Sequence, residues 1–185
     1  QDGDFARAVR VLRRLEESQP TGVDVMVYNA VLDVCVSHGG AQEAQRLLGE
    51  MRRKGVEPNL ITYNTLMKGH SAKGDLASAS AMMREIAAAG LCPDTASYNC
   101  LLSTAITSGD VAEGLRVLDA MERRAVPTDM YTVSIIMKAA KRASSPKEAD
   151  KALSVLDRPG LNVCEDEVLF NTVLDACIYR ADKAR

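Results

Sequence analysis

Apolar residues recur at three- and four-residue intervals in two consecutive runs within residues 60–94. This spacing is typical of amphipathic α-helices that each bury one side. The runs are Ile61, Tyr63, Leu66 and Met67, followed by Leu76, Ala79, Met82, Met83 and Ile86. Gly74 and Asp75 separate them, since glycine favours a helix end and aspartate caps the next helix start. The pattern therefore predicts a hairpin of two helices.

The same pattern repeats every 35 residues along the chain. Its clearest markers are Tyr28-Asn29, Tyr63-Asn64 and Tyr98-Asn99, with Gly39, Gly74 and Gly109. The spacing divides the chain into repeats 25–59, 60–94 and 95–129, an irregular fourth repeat 130–166 and the first helix of a fifth, 167–185. Residues 1–24 resemble the second helix of a preceding repeat. Since the chain begins and ends inside repeats, we expect it to be a fragment of a longer protein.

An isolated hairpin of this kind cannot bury its apolar sides, so neighbouring hairpins must stack. The sequence predicts an all-α fold, a right-handed α-solenoid that forms a single continuous repeat domain. Small residues are expected where helices approach closely, at Ala44, Ala79, Gly114 and Ala149. Helix N-caps are expected at Asn59, Asp94 and Asp129.

The fourth repeat departs from the pattern. Val133 replaces the tyrosine, Ser134 the asparagine and Ser144 the glycine. Two extra residues lie near the segment Arg158-Pro159-Gly160. We expect a longer or bent loop there, with the fold otherwise continued.

Composition restricts the class of protein. Hydrophobic residues make up 46% and charged residues 26% of the chain, and the net charge is −2. This balance is typical of a soluble, folded, mostly helical protein. No apolar run reaches the ~20 residues that span a bilayer, so no membrane span is expected. The five cysteines are odd in number and irregularly spaced, which favours reduced thiols over disulfides or a zinc site.

Motifs for catalysis and for cofactors are missing from the sequence. His38 and His70 are isolated from residues in metal-ligand spacing. No Gly-rich phosphate loop or zinc deaminase pattern occurs. We therefore expect no catalytic residue, no metal, no cofactor and no small-molecule substrate.

The repeats 25–59, 60–94 and 95–129 resemble pentatricopeptide repeats, the 35-residue helical hairpins of organellar RNA-binding proteins. The shared signature opens with the residues Ile61-Thr62-Tyr63-Asn64-Thr65-Leu66 and closes with Pro93-Asp94. The related tetratricopeptide repeat has a period of about 34 and a Trp-Leu-Gly-Tyr pattern that this chain lacks.

The resemblance implies binding of single-stranded RNA, one base per repeat. The implied base-reading residues are Asn29 with Asn59, Asn64 with Asp94, Asn99 with Asp129, Ser134 with Asp166, and Asn171. The residues implied to sandwich the bases are Met26, Ile61, Ala96, Tyr131 and Val168. By analogy the RNA runs 5′ to 3′ from the N- to the C-terminus. Its bases are cytosine, two uracils and guanine, or roughly pyrimidine-U-U-G.

The resemblance also implies a location in the mitochondrion or plastid. The implied role is RNA stabilisation, processing, splicing, editing or translation, alongside other proteins of an organellar ribonucleoprotein. Catalysis is not implied within this chain.

Each implied role has a structural alternative. Asn29, Asn64 and Asn99 favour base reading, because a helix surface has no structural reason to demand asparagine three times. A local cap or a hydrogen bond between repeats is the alternative. An N-cap role for the Asn or Asp at each repeat end is at least as well supported as base reading. The repeated tyrosines and methionines are expected in the core.

Charge supports RNA binding only modestly. The segments 26–38, 61–73, 96–108 and 131–142 carry five Lys or Arg and one Asp, a balance of +4 against −2 for the whole chain. The expected phosphate contacts are Lys68, Lys73, Lys138, Lys141 and Arg142. Family members usually carry Lys about eight residues after the base-reading residue, where this chain has Ser37, Ala72, Thr107 and Arg142. We therefore expect few phosphate contacts and low affinity.

A second hypothesis is a structural or protein-docking solenoid in a larger assembly, such as an organellar ribosome or RNA polymerase. The base-reading hypothesis requires the three asparagine amides to face an open inner groove. Asparagine side chains buried inside the stack, or turned to its outer rim, would end this hypothesis and leave the scaffold role.

Overall fold

The computed structural model describes residues 3–18, 22–143 and 145–154, together with positions 171, 174 and 178. Most of these residues are helical, and no strand occurs among them. In chain order the helices are α1 Gly3–Ser18, α2 Val25–Ser37, α3 Ala41–Arg53, α4 Leu60–Lys73, α5 Leu76–Ala88, α6 Thr95–Ser108, α7 Val111–Arg123, α8 Met130–Arg142 and α9 Pro146–Leu153. The predicted all-α fold of stacked helical hairpins is confirmed.

The helices begin and end where the local sequence predicts. Asn59, Asp94 and Asp129 are the N-caps of α4, α6 and α8, and each forms a capping box with the residue three positions later. Gly74 ends α4 in the left-handed conformation, with φ of 65°. Asp75 then caps α5 by accepting a hydrogen bond from the Ser78 amide. The turn chemistry of the repeat is therefore local and readable from the chain.

The first helices of the hairpins form a continuous layer, with α2 against α4, α4 against α6 and α6 against α8. The second helices approach one another less closely, and among the described residues only α7 and α9 come near each other at several positions. A stack that is tighter on one side curves toward that side. The layer of α2, α4, α6 and α8 is therefore the inner face of the curve.

The core lies between the two layers and runs along the stack. Tyr28, Tyr63 and Tyr98 are buried, as predicted. So are Met51, Met67, Met82, Met121 and Met137, whereas Met83 is half-buried between the two halves of the core. The tyrosine and methionine stripes therefore serve packing, with methionine filling irregular spaces.

Small residues permit the closest helix contacts. A Cβ atom at Gly114 would lie 2.6 Å from Cδ1 of Ile106, so α6 and α7 meet closely at this position. A Cβ atom at Gly69 would lie 3.1 Å from Val36, where α4 meets α2. The other predicted small residues, Ala44, Ala79 and Ala149, are also buried.

Three further expectations can be compared with the described residues alone. A transmembrane helix is not found there, because each helix is too short or too polar. These residues contain no cluster of His, Cys, Asp and Glu suited to a metal ion. Cys35, Cys92 and Cys100 are free thiols. The expected loop at Arg158-Pro159-Gly160 and the substituted Ser144 lie outside the described residues.

Gly90 and Ala125 occupy equivalent places 35 residues apart and both have positive φ, 72° and 53°. The left-handed conformation costs a non-glycine residue about 1 kcal/mol or more. We expect Gly90→Ala to lower the free energy of unfolding by about 1 kcal/mol and Ala125→Gly to raise it by up to about 1 kcal/mol. Denaturation followed by circular dichroism measures both changes.

Gly49→Ala is the control, because Gly49 is exposed inside α3 and a Cβ atom there would meet nothing within 4 Å. It should stabilise the protein by about 0.5–1 kcal/mol. Equal effects of the two Gly→Ala changes would contradict the backbone argument.

Candidate nucleic-acid interface

Three asparagines occupy equivalent places in the first helices, Asn29 in α2, Asn64 in α4 and Asn99 in α6. Each lies three residues after the second residue of its repeat, and residues three apart share one side of a helix. On the inner face, each asparagine therefore lies one helical turn after the second residue of its repeat.

Asn64 is held by hydrogen bonds to the next repeat. Its Nδ2 donates to Oδ1 of Asp94 over 3.1 Å, and its Oδ1 accepts from the hydroxyl of Ser97 over 2.7 Å. Asp94 in turn accepts from the Ser97 amide over 2.9 Å, and the Ser97 hydroxyl accepts from the Asp94 amide. We call this arrangement of asparagine, N-cap residue and hydroxyl residue an inter-repeat triad.

The triad recurs at both neighbouring junctions. Its members are Asn29, Asn59 and Thr62 at one junction, and Asn99, Asp129 and Thr132 at the other. The asparagine Nδ2 donates over 3.2 Å and 3.0 Å respectively. The threonine hydroxyl donates to the asparagine Oδ1 over 2.7 Å in each case. The same arrangement of hydrogen bonds therefore joins the repeats at three successive junctions.

The triad also fixes which way each amide faces. An ionised carboxylate only accepts hydrogen bonds, so the nitrogens of Asn64 and Asn99 must face Asp94 and Asp129. The carbonyl oxygens are then directed to the hydroxyls. Each amide retains one further N–H and one further lone pair, because an amide has two of each. That pair of groups matches the Watson–Crick edge of a pyrimidine.

The two carboxylates of the triads are stabilised in their charged form. Partial desolvation opposes ionisation of Asp94, but hydrogen bonds from Ser97 and Asn64 outweigh it and hold its pKa below the usual value. The same balance lowers the pKa of Asp129, with Thr132 and Asn99 as the donors. Both groups are therefore anionic at neutral pH, and the amide orientation is permanent.

The asparagines are far less exposed than expected. Asn29, Asn64 and Asn99 are 8%, 9% and 3% exposed, so the expectation of amides open to the groove is wrong. The hydroxyl residue of the next repeat and the N-cap residue close over each amide. This burial counts against base reading by open amides and favours the scaffold hypothesis. Base reading remains possible only through the N–H and the lone pair of each amide that the triad does not use.

The residues expected to sandwich bases are exposed. Met26 is 73%, Ile61 62% and Tyr131 60% exposed, and Ala96 is exposed as well. Large apolar side chains rarely lie in solvent in a repeated row without a ligand to cover them. Val168 lies outside the described residues.

A family model described as the PPR repeat family matches residues 23–72, 59–105 and 93–142. The matches overlap and together cover more than half of the chain. The chain belongs to the pentatricopeptide repeat (PPR) family. The matched residues consist of repeats alone, which carry no catalytic domain.

Solved PPR structures share this fold. PPR10 in complex with an 18-nt PSAJ RNA element is 23% identical, with a TM-score of 0.75 over 95% of this chain and 25% of that chain. PPR10 from maize is 24% identical, with a TM-score of 0.72 over 94% of this chain and 24% of that one. This chain therefore spans about a quarter of the PPR10 chains it matches.

The PPR domain of Arabidopsis thaliana protein-only RNase P 1, solved in complex with tRNA, is 20% identical, with a TM-score of 0.74. The match covers 96% of this chain and 92% of that chain. No curated protein matches the sequence.

The PPR repeats of this chain carry few cations on the inner face. Lys68, Lys73 and Lys138 are exposed there, and Lys68 lies 4.0 Å from Asp33. Lys141 is half-buried. Arg142 donates to the main-chain carbonyl of Ile106, so it is engaged with the end of α6, which the sequence analysis did not foresee.

The remaining base-reading predictions concern the later repeats. Ser134 is half-buried in α8, and its partner Asp166 lies outside the described residues. Asn171 is helical and exposed. The structure therefore brings together three of the predicted pairs.

The third member of each triad, which is Thr62, Ser97 or Thr132, was not among the site residues predicted from the sequence. A signal was present, because Thr or Ser recurs every 35 residues, three positions after the N-cap residue, as in a capping box. Their contact with the preceding repeat depends on the stacking and has no local signature.

Thr62→Val tests the triad. The hydroxyl is fully buried, and its loss leaves Oδ1 of Asn29 and the Asn59 amide without a partner. We expect the free energy of unfolding to fall by about 2 kcal/mol. Thr107→Val, at an exposed position of α6, should change it by less than about 0.5 kcal/mol. Equal effects in urea denaturation would show that the triad does not stabilise the stack.

Asp94→Asn with Asp129→Asn tests the charge of the triads. The lowered pKa values mean that these carboxylates stabilise the folded state above about pH 4, and that this stability is lost as the pH falls through the folded pKa. The asparagine at position 59 shows that the triad accepts an amide. We expect the double variant to have a shallower loss of thermal stability between pH 5 and pH 3. If thermal stability fell as steeply with pH in the double variant as in wild type, the ionisation of Asp94 and Asp129 would not be its cause.

Proposed function

We propose that this chain binds single-stranded RNA along its inner face and selects bases through the outer edges of the triad asparagines. The supporting observation is the repeated alternation of an exposed side chain with an amide of fixed orientation, as in Ile61 followed by Asn64. Two related PPR structures hold RNA, PPR10 with an 18-nt element and RNase P 1 with tRNA.

The exposed row supplies binding energy. Bases inserted between Met26, Ile61, Ala96 and Tyr131 would cover apolar surface that is otherwise in water. Stacking on an aromatic ring is worth about 1–3 kcal/mol per base, so Tyr131 is the strongest member. These contacts hold any base and carry no selectivity.

The triads supply the selectivity. An amide that offers one N–H and one lone pair is complementary to the Watson–Crick edge of uracil or cytosine. The neighbouring residue then distinguishes the two, with Asp94 and Asp129 favouring uracil and Asn59 favouring cytosine by analogy with the family. Together with Ser134 and Asp166, this gives the proposed site pyrimidine-U-U-G.

The phosphate contribution is small. The lysines of the first helices lie in α4 and α8, at Lys68, Lys73, Lys138 and Lys141. Each released counterion lowers the logarithm of affinity by roughly 0.7 per tenfold rise in salt for single strands. Affinity of this segment should therefore be low and weakly dependent on salt. Retention of RNA in a mitochondrion or plastid, for stabilisation, processing, splicing, editing or translation, follows from the family as the proposed setting.

A second candidate function is protein docking within an organellar ribonucleoprotein, ribosome or RNA polymerase. The burial of Asn99 to 3% exposure and the engagement of Arg142 with α6 favour it. Crosslinking in the native compartment separates the two functions. A chain that captures no RNA but copurifies stoichiometrically with a protein complex would support docking.

Asn64→Ala tests base reading. Gel shifts with the full chain compare short RNAs that contain C-U-U-G with RNAs in which either uridine is replaced by adenosine. Wild type should prefer each uridine about tenfold, and Asn64→Ala should abolish the preference at the first uridine alone, because it removes one amide. Tyr131→Ala should weaken the binding of all of these RNAs by a similar factor.

Asn99→Ala is the matched control, because it removes the equivalent amide one repeat later. Asn99→Ala should abolish the preference at the second uridine, one nucleotide toward the 3′ end, and keep it at the first. Asp94→Asn should convert the preference at the first uridine to cytidine. Identical effects of Asn64→Ala and Asn99→Ala at both nucleotides, or no RNA binding by wild type, would overturn the proposal.

A further inference from the structure

Ion pairs join the second helices of neighbouring hairpins on the side opposite the inner face. At the junction of α3 and α5, Arg52 binds Glu85 over 2.6 Å and also donates to the Tyr63 hydroxyl over 3.1 Å. Comparable pairs join two other junctions, Arg13–Glu50 between α1 and α3 and Asp119–Lys151 between α7 and α9.

The junction of α5 and α7 has lost this ion pair. The residues 35 positions after Arg52 and Glu85 are Ala87 and Ala120, so both charges are replaced by methyl groups. The equivalent tyrosine, Tyr98, has no hydrogen-bond partner for its hydroxyl in the described part of the chain. The space beside the tyrosine, which Arg52 and Glu85 fill at one junction, therefore holds no charged side chain from these two positions at the next.

A groove of about 340 Å³ lies at this junction, and we call it the outer groove. Its apolar lining includes Met83, Leu101 and Val117, with Ala87 and Ala120. Arg84, Arg116 and Arg124 are also in the lining and are exposed. The single acidic lining residue, Glu113, is already bonded to Arg116 over 2.5 Å.

The outer groove is therefore cationic and incomplete. Within the described residues, Arg84 and Arg124 form no ion pair, which leaves two positive charges beside an apolar floor. The corresponding groove between α3 and α5 contains Arg52 with Glu57 and Glu85, so its own carboxylates compensate its charge. The two grooves share one architecture and differ in charge.

We infer that the outer groove binds an acidic protein segment, whose carboxylate lies beside the Tyr98 hydroxyl as Glu16 lies beside the equivalent Tyr28 hydroxyl two repeats earlier. The carboxylate would bind Arg84 or Arg124 and accept from the Tyr98 hydroxyl, and an apolar side chain of the segment would cover Met83 and Val117. A protein carboxylate fits better than an RNA phosphate, because the equivalent tyrosine, Tyr28, donates its hydroxyl to a carboxylate of this chain and because the floor is apolar. This inference does not depend on RNA binding at the inner face.

Fluorescence anisotropy with the full chain tests the inference. The probe is a labelled hexapeptide of alternating leucine and glutamate, and the matched neutral probe replaces each glutamate by glutamine. Arg84→Ala with Arg124→Ala removes the unpaired charges. Ala87→Arg with Ala120→Glu instead installs the missing ion pair and fills the groove from within. Arg46→Ala, at an exposed position of α3, is the control.

We expect the glutamate peptide to bind wild type and Arg46→Ala alike, and each double variant about tenfold more weakly. Circular dichroism establishes that each variant is folded, and the two double variants act by different routes. Equal binding of the glutamine peptide, no loss in either folded double variant, or no binding at about 1 mM peptide would overturn the inference. Displacement of the peptide by a uridine oligonucleotide would overturn it in favour of a polyanion site.

Discussion

The stack depends on a buried hydroxyl that joins each repeat to the one before it. Thr62, Ser97 and Thr132 are fully buried, and each hydroxyl connects the capping box of its own helix to the asparagine of the preceding repeat. Apolar contact is non-directional and would tolerate a shift between neighbouring hairpins. A shift would leave the hydroxyl and the amide unpaired in the core, at a cost of about 1–3 kcal/mol for each group. The triad therefore sets the register of the solenoid.

The same contact limits what the inner face can offer to a ligand. An asparagine such as Asn64 keeps a fixed orientation because Asp94 is anionic, and only 9% of the residue is exposed. Stability and recognition thus use the same amide. One N–H and one lone pair bind the next repeat, and the other N–H and lone pair are not used by the triad. The outer groove shows a different case, since alanines stand where the preceding junction has an ion pair, and the lining residues Arg84 and Arg124 form no ion pair within the described residues.

Much of the fold follows from local sequence. Helix starts at Asn59, Asp94 and Asp129 were predictable because an N-cap is satisfied by residues two or three positions away. The buried tyrosines and methionines follow from helical spacing and the period of 35. The candidate site was predictable in its residue types. The exposure of Ile61 was not predictable from helical spacing, which placed it wrongly in the buried apolar run of α4; only the family resemblance implied that Met26 and Ile61 face a ligand.

By itself, the sequence determined the helices, their caps, the repeat length and the side of each helix that is buried, because all of these depend on neighbours along the chain. Only the tertiary structure decided that Asn99 is almost covered by Thr132 and Asp129, and that Arg142 reaches Ile106. It also decided that Arg52 meets Glu85. Only this contact shows that Ala87 and Ala120, one repeat later, stand in the places of an ion pair. These contacts join residues about 30 to 36 positions apart, and their distances exist only after one hairpin has packed on the next.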